Sequence, residues 1–149
     1  MTAHRSLPVD LEELSIALEA EAADLRWYLD VHTGDVLLVT QEYEPAEHDG
    51  LTETEIESDP KRFVRVPAGN PQRVVDDMKD FVASLGDAKL QESLELALSA
   101  SRPERRFKTA LSWLPERQQQ WHAWYRDHCH QRALDWLAQQ GIVPTARAA

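Results

Sequence analysis

Residues 27–39 read WYLDVHTGDVLLV, and this stretch decides the fold. Two runs rich in aromatic and β-branched residues flank a short polar turn that contains Gly34. Strand-forming runs on either side of such a turn predict a β-hairpin. Farther along the chain, residues 62–67 alternate polar and apolar side chains and end at Pro67. This alternation predicts a third, half-buried strand that completes an antiparallel sheet whose other face lies in water.

The remainder of the chain is predicted to be mainly helical. Apolar residues recur at helical spacing over about residues 8–23, where Pro8 occupies a first turn that tolerates proline. After the third strand, four more apolar-periodic stretches each begin at a capping residue or a proline. These start signals are Asn70 with Pro71, Asp87, Pro103 and Pro115.

Together these elements predict a single α+β domain over residues 1–149. An N-terminal helix precedes the small three-stranded antiparallel sheet, and a bundle of about four helices then packs on one face of that sheet. Residues 41–60 are acidic and poor in apolar side chains, which predicts a solvated acidic loop or a partly ordered excursion, and residues 142–149 are expected to form a loose tail. The residues expected in the core include Trp27, Phe81, Phe107 and Leu111.

Charge is divided sharply along the chain. Residues 1–60 carry sixteen acidic side chains against two arginines, whereas residues 61–149 carry ten acidic against fourteen basic side chains. The two parts have net charges of −14 and +4, which give the total of −10. Such a division suggests that one face repels polyanions while another receives an anion or the carboxylates of a partner.

The sequence also bears on the compartment. The single cysteine, Cys129, excludes an internal disulfide, which suits a reducing environment. The first residues lack the apolar segment of a secretory signal, and the longest aliphatic run, residues 36–39, is far shorter than the ~20 residues that span a bilayer. We therefore expect a cytoplasmic protein without membrane contact. For the oligomeric state we expect a monomer or a homodimer.

Histidines and a cysteine cluster on the last predicted helix, but their spacing is unlike that of a metal site. His122 and Cys129 are seven positions apart, roughly 10.5 Å along a helix, and His128 and His130 project about 200° apart. Ligands that share a helix face lie three or four positions apart. The sequence therefore predicts no metal, and Cys129 is expected to be a small buried hydrophobic residue.

No pattern indicates catalysis. Acidic residues are so numerous that no pair of carboxylates stands out, and the chain has no glycine-rich phosphate loop, nucleophile elbow or calcium loop. We expect no catalytic residue and no cofactor, and the assignment leans away from an enzyme.

A basic and aromatic stretch over residues 102–132 is the best candidate for a contact surface. Basic groups interleaved with aromatic rings are typical of surfaces that bind phosphates and stacked bases. The stretch carries a net charge of only +4 within a chain of −10, so pairing with the protein's own acids or with an anionic partner is favoured over nucleic acid. The candidate contact residues are Arg105, Arg106, Lys108, Arg126, Arg132 and Trp121.

Several short segments, spread from about residue 10 to residue 140, form an ordered set of landmarks. They are Tyr28-Leu29-Asp30, Thr33-Gly34-Asp35-Val36, residues 62–67, Met78-Lys79-Asp80-Phe81, Arg105-Arg106-Phe107-Lys108 with Ala110-Leu111, Trp121, and residues 133–137. In this order they resemble the landmarks of a bacterial family catalogued as uncharacterised protein family 0158. The resemblance implies one bacterial cytosolic domain and brings no known activity, catalytic motif or cofactor.

These observations favour a non-catalytic cytosolic module that binds or regulates another protein. Divided charge contributes orientation and association rate to such contacts more than affinity. The alternative is a nucleic-acid-related role, in which the Arg/Trp stretch binds phosphate weakly or the acidic N-terminal half mimics a polyanion. An enzyme acting on a small anionic molecule comes third.

Overall fold

The computed structural model describes residues 5–21 and 24–145. They form an α+β fold in which a helix bundle follows a small three-stranded antiparallel sheet, as the sequence predicts. In chain order the elements are β1 (Arg5–Leu7), α1 (Leu11–Glu19), β2 (Arg26–Asp30), β3 (Val36–Val39), a 3₁₀ turn (Pro45–Glu47), α2 (Glu53–Glu57), β4 (Phe63–Arg65), α3 (Pro71–Ser84), α4 (Ala88–Ser99), α5 (Pro103–Ser112), α6 (Pro115–Gln139) and β5 (Ile142–Pro144).

Contacts divide the chain into two compact units. The first unit contains the residues up to Gly69 together with those from His130 onward, and the second contains residues 70–129. The long helix α6 contributes residues to both units. The single domain over residues 1–149 stays a prediction, and each unit is described by itself.

The predicted hairpin and third strand form the sheet of the first unit. Strand β2 is central, with β3 and β4 antiparallel on either side. The register pairs Leu29 with Val36 across the hairpin and with Val64 on the other side. Gly34 has a φ of +84°, a conformation that β-carbon-bearing residues rarely adopt, which explains glycine in this turn.

Both faces of this sheet are covered, which corrects the expectation of a solvated face. Successive strand residues point to opposite faces. Leu29 packs into one cluster with Leu14 of α1 and Leu137 of α6. Tyr28 packs on the opposite side with Ile56, which comes from the segment predicted to be a loop. The sheet therefore lies between helices on one side and the acidic segment on the other.

The acidic segment 41–60 is an ordered part of the fold rather than a solvated loop. It contains the 3₁₀ turn and α2, whose cap Thr52 exchanges hydrogen bonds with Glu55 in a capping box. Ile56 is fully buried, and the Tyr43 hydroxyl donates a hydrogen bond to the Leu51 carbonyl at 2.8 Å. A few apolar residues suffice to hold this segment in place because they all cover one face of the sheet. Composition alone does not reveal that arrangement.

The N-terminal helix is shorter than the predicted residues 8–23. It begins at Leu11 because the Asp10 carboxylate accepts hydrogen bonds from the Glu12 and Glu13 N–H groups, 3.0 and 3.2 Å away, and so caps the first turn. Pro8 precedes this cap rather than opening the helix. The helix ends at Glu19, and residues 22–23 of the predicted span lie outside the described residues.

The C-terminal residues are also more ordered than predicted. Strand β5 pairs with β1 in parallel, with Arg5 opposite Ile142, and the Ile142 side chain is buried. Neither three-residue strand is evident from the sequence. Each is stabilised by pairing with the other, and the two are separated by most of the chain. Residues 146–149 of the predicted tail lie outside the described residues.

The four predicted helices of the second half are confirmed. Asn70 and Asp87 cap α3 and α4 by accepting hydrogen bonds from backbone N–H groups, and prolines occupy the first turns of α3 and α5. Phe81, Phe107 and Leu111 are buried, as expected. Trp27 is only half-buried, at the margin of the first unit's core. Within the described residues, no helix combines the length and apolar character that crossing a bilayer requires.

Candidate functional site

Four cations on and beside α5 form what we call the basic α5 surface: Arg102, Arg105, Arg106 and Lys108. All four side chains are exposed. Three of them belong to the contact residues expected from the sequence. Arg102 was not among these, although its position directly before the helix-opening Pro103 could have identified it.

The local backbone explains how these cations come together. Arg102 is the N-cap of α5 in the left-handed region, with φ +54° and ψ +57°, and its side chain makes no capping hydrogen bond. Pro103 supplies no N–H, and the Arg106 N–H begins the helical ladder by donating to the Arg102 carbonyl at 3.1 Å. Arg102 thus lies directly before the first turn of α5, which carries Arg105 and Arg106.

Two open depressions flank this turn. The larger, the α3/α5 cleft, has a volume of about 890 Å³. The smaller, the α4/α5 groove, has a volume of about 590 Å³. Arg102, Arg105 and Thr109 line both of them, so the same side chains serve two adjoining surfaces.

The cations of this surface differ in how they are paired. Lys108 makes an ion pair with Glu104 at 2.9 Å, one helical turn away. The Arg106 Nε donates a hydrogen bond to the Ser101 carbonyl at 2.8 Å, which fixes its direction. Within the described part of the chain, Arg102 and Arg105 make no ion pair with a carboxylate.

The placement of these charges opposes the stability of α5. Cations near a helix N-terminus interact unfavourably with the helix dipole, which favours negative charge there. Arg105 also lies three positions from Lys108 within the helix, a spacing at which two like charges are neighbours on the helix surface. An anion at this turn would relieve both effects. Departures from local stability rules of this kind are expected where a protein binds something.

The remaining predicted contact residues lie elsewhere. Trp121 is buried in the core of the second unit, where its ring is 5.2 Å from Phe107 and 5.5 Å from Phe81, so the structure removes it from the contact surface. Arg132 belongs to the first unit and makes an ion pair with Glu19 at 3.0 Å. Arg126 is exposed on α6 and does not line either depression.

A second polar cluster, which the sequence did not reveal, lies beneath the hairpin turn. Asp30 is fully buried and accepts two hydrogen bonds from Arg62. It also accepts one from the His32 N–H at 2.9 Å, and the Nε2 atom of the buried His48 lies 2.8 Å from its Oδ2 atom. The partners Arg62 and His48 are 32 and 18 positions away, so no local pattern connects them.

This cluster supports the fold rather than a reaction. Burial by itself would raise the pKa of Asp30, but the hydrogen bonds from Arg62, His32 and His48 lower it to about 2. The carboxylate is therefore ionised at neutral pH and enclosed by donors. It joins the end of β2 to the acidic segment and to the start of β4. Since Asp30 and His48 are both buried, neither side chain presents an open face to a substrate.

His128 and Cys129 of α6 are accounted for by packing. The His128 ring stacks on Trp124 with centroids 4.4 Å apart, and its Nδ1 lies 2.8 Å from the Trp124 carbonyl oxygen. Cys129 is buried. Over residues 5–21 and 24–145, no three His, Cys, Asp or Glu side chains come together in a way that could hold a metal ion.

Comparison with known proteins shows to which family the chain is related. Residues 4–149 match the uncharacterised protein family UPF0158. A UPF0158 protein of Pseudomonas aeruginosa is 31% identical over 143 residues, which cover 96% of this chain and 90% of that relative. No solved structure matches the chain at a significant level. With the family matched over nearly the whole length, the protein belongs to UPF0158.

Proposed function

We propose that the protein is a non-catalytic binding or regulatory module of the bacterial cytoplasm that contacts another protein. In this proposal the basic α5 surface receives carboxylates of the partner. The observation that carries it is the pair Arg102 and Arg105, which lie between two open depressions without a carboxylate ion pair in the described part of the chain.

Electrostatics and geometry support a protein partner. The net charge of −10 opposes long-range attraction to a polyanion, whereas a local basic surface still orients an acidic patch of a partner at short range. Stacking of bases on Trp121 is not available because that ring is buried, and the exposed Trp113 lines neither depression. Arginine side chains favour this role further, since a guanidinium can hold a carboxylate by two parallel hydrogen bonds.

Site-specific photo-crosslinking in cells that carry the protein tests this proposal. A photoreactive amino acid replaces Thr109, which lines both depressions, and a control protein carries it at the exposed Lys79, which lines neither. We expect an adduct from position 109 that protease digests and nuclease does not. The adduct should disappear when Arg102→Glu and Arg105→Glu are added.

Two results would overturn the proposal. The first is an adduct at position 109 that nuclease removes, which would favour the nucleic-acid-related role. The second is an absence of adduct above the level of the Lys79 control, which would exclude the basic α5 surface as a contact site.

A further inference from the structure

We infer that the α4/α5 groove binds an acidic peptide segment of the partner, in which a large apolar side chain lies between carboxylates. This inference rests on the proposed protein-binding function and specifies the chemistry of the partner. It follows from the floor of the groove, the charges at its rim, and the spacing between those charges.

The floor of the groove is apolar. Ala97 and Ala100 from the end of α4 and Ala110 from α5 provide small, half-buried side chains that leave space above them. Leu96 adjoins them and is 68% exposed. Covering this exposed leucine and the alanine methyl groups with an apolar side chain would remove apolar surface from water on both molecules, which is favourable.

The rim of the groove is basic on one side. Arg102, Arg105 and Arg106 line it, and none of the lining residues is acidic. The larger α3/α5 cleft differs because Glu104 lies in its wall and already neutralises Lys108. An occupant of the groove therefore has to bring its own negative charge, and carboxylates match the planar guanidinium groups.

The spacing of the arginines defines the spacing of the carboxylates. The Arg106 N–H donates to the Arg102 carbonyl, so the backbones of these two residues lie one helical turn apart, roughly 6 Å. Carboxylates four positions apart on a helix are separated by about the same distance. An apolar residue three positions after the first carboxylate lies on the same side of that helix and then faces the alanine floor.

The groove is less suited to nucleic acid than to a peptide. No aromatic side chain lines it, so bases would find no ring on which to stack. The exposed Trp113 lies beyond the end of α5 and outside the lining of the groove. A peptide with an apolar anchor uses the floor as well as the rim, whereas a polyanion uses only the rim.

Binding of labelled peptides to the full-length protein, followed by fluorescence anisotropy, tests the inference. The main probe is a helix-forming peptide of about twelve residues with one leucine between glutamates four positions apart. One comparison peptide replaces the leucine by serine, and the other replaces the glutamates by glutamines. We expect each comparison peptide to bind roughly tenfold or more weakly, since both the apolar contact and the charge pairs contribute.

Two pairs of protein variants assign the binding to the groove. Arg105→Glu should weaken binding of the main probe at least tenfold, whereas Lys89→Glu should not, although it also reverses a charge in the first turn of a helix. Ala97→Phe fills the groove and should weaken binding similarly, whereas Ala83→Phe, on an exposed position of α3, should leave it unchanged. Far-UV circular dichroism of every variant verifies that the helices are intact.

The outcomes separate this inference from the proposed function. If crosslinking at Thr109 captures a protein but the leucine-to-serine peptide binds as well as the main probe, the function stands and the apolar anchor is wrong. If a single-stranded oligonucleotide of equal length binds more tightly than the main probe, the peptide inference is overturned. Self-association that Arg105→Glu abolishes would overturn it as well, by identifying a second copy of this chain as the occupant.

Discussion

Asp30 and Arg62 are joined by two hydrogen bonds, with the Nε of Arg62 3.1 Å from Oδ1 of Asp30 and Nη2 3.0 Å from Oδ2. The pair connects the end of β2 to the residue before β4. Since Asp30 is fully buried, this interaction is far less exposed to solvent than a surface ion pair. The Arg62 guanidinium also lies over the Phe63 ring, 4.8 Å from its centroid.

The first prediction concerns acid stability. The pKa of Asp30 is about 2, below the ordinary value of 3.8, so the ionised carboxylate contributes about 2 kcal/mol to folding. Because the shift is downward, this contribution is complete above about pH 5 and is lost as the pH falls through the folded value. NMR titration of the Asp30 side-chain carboxyl should give a midpoint near pH 2, and urea unfolding should show the loss of stability.

Two variants assign this acid sensitivity to Asp30. Asp30→Asn should be destabilised by about 3–5 kcal/mol at neutral pH, because Arg62 loses its buried partner. On acidification it should also show a smaller further loss of unfolding free energy than the wild type. Glu92→Gln, which removes an exposed carboxylate on α4, should retain the wild-type pH dependence. Equal acid sensitivity in Asp30→Asn and wild type would contradict the assignment.

The second prediction concerns the core of the helical unit. Phe107 is fully buried and contacts Phe81 and Trp121 edge-on, so Phe107→Ala should lower the free energy of unfolding by about 3–5 kcal/mol. Trp113→Ala, which truncates an aromatic ring that is 81% exposed, should change it by no more than about 0.5 kcal/mol. Urea unfolding monitored by circular dichroism compares the two. Similar midpoints for both variants would refute this description of the core.

The third prediction separates backbone strain from steric overlap at glycines. Gly34 has a φ of +84°, and a β-carbon there would lie 2.7 Å from the Pro8 carbonyl oxygen. Gly50 has a φ of +73°, and no atom lies within 4 Å of an added β-carbon. Gly86 likewise has no atom within 4 Å of an added β-carbon, and its φ is not positive. Gly50→Ala should cost about 1–2 kcal/mol, Gly34→Ala distinctly more, and Gly86→Ala almost nothing. Thermal unfolding should therefore show the largest loss of stability for Gly34→Ala, a smaller loss for Gly50→Ala and almost none for Gly86→Ala.

The fourth prediction tests whether α5 gives up stability for binding. Arg105→Glu removes repulsion and places a negative charge near the helix N-terminus, so it should stabilise the protein by about 0.3–1 kcal/mol at low salt. Lys108→Glu breaks the pair with Glu104 and should have the opposite sign. Both effects should shrink at high salt. Destabilisation by Arg105→Glu at low salt would show that the cation is satisfied within the fold.

The sequence was most informative where structure depends on neighbouring residues. The hairpin followed from two strand-forming runs around Gly34, and the starts of α3, α4 and α5 followed from Asn70, Asp87 and Pro103, since turns and caps are decided within a few positions. Three of the four cations of the basic α5 surface were assigned to one helix in the same way. Arg105, Arg106 and Lys108 are neighbours in the sequence and therefore lie on one helix.

Only the tertiary structure decided which surfaces those elements cover. The acidic segment is ordered because Ile56 and His48 reach a sheet formed by distant residues, and β5 exists because β1 lies beside it. For the same reason Trp121, which the sequence offered as a contact residue, is buried against Phe81 and Phe107. Composition determined that the protein carries divided charge and a substantial core. Burial and long-range hydrogen bonding, which depend on residues far apart in the chain, determined which charges face water and which are paired.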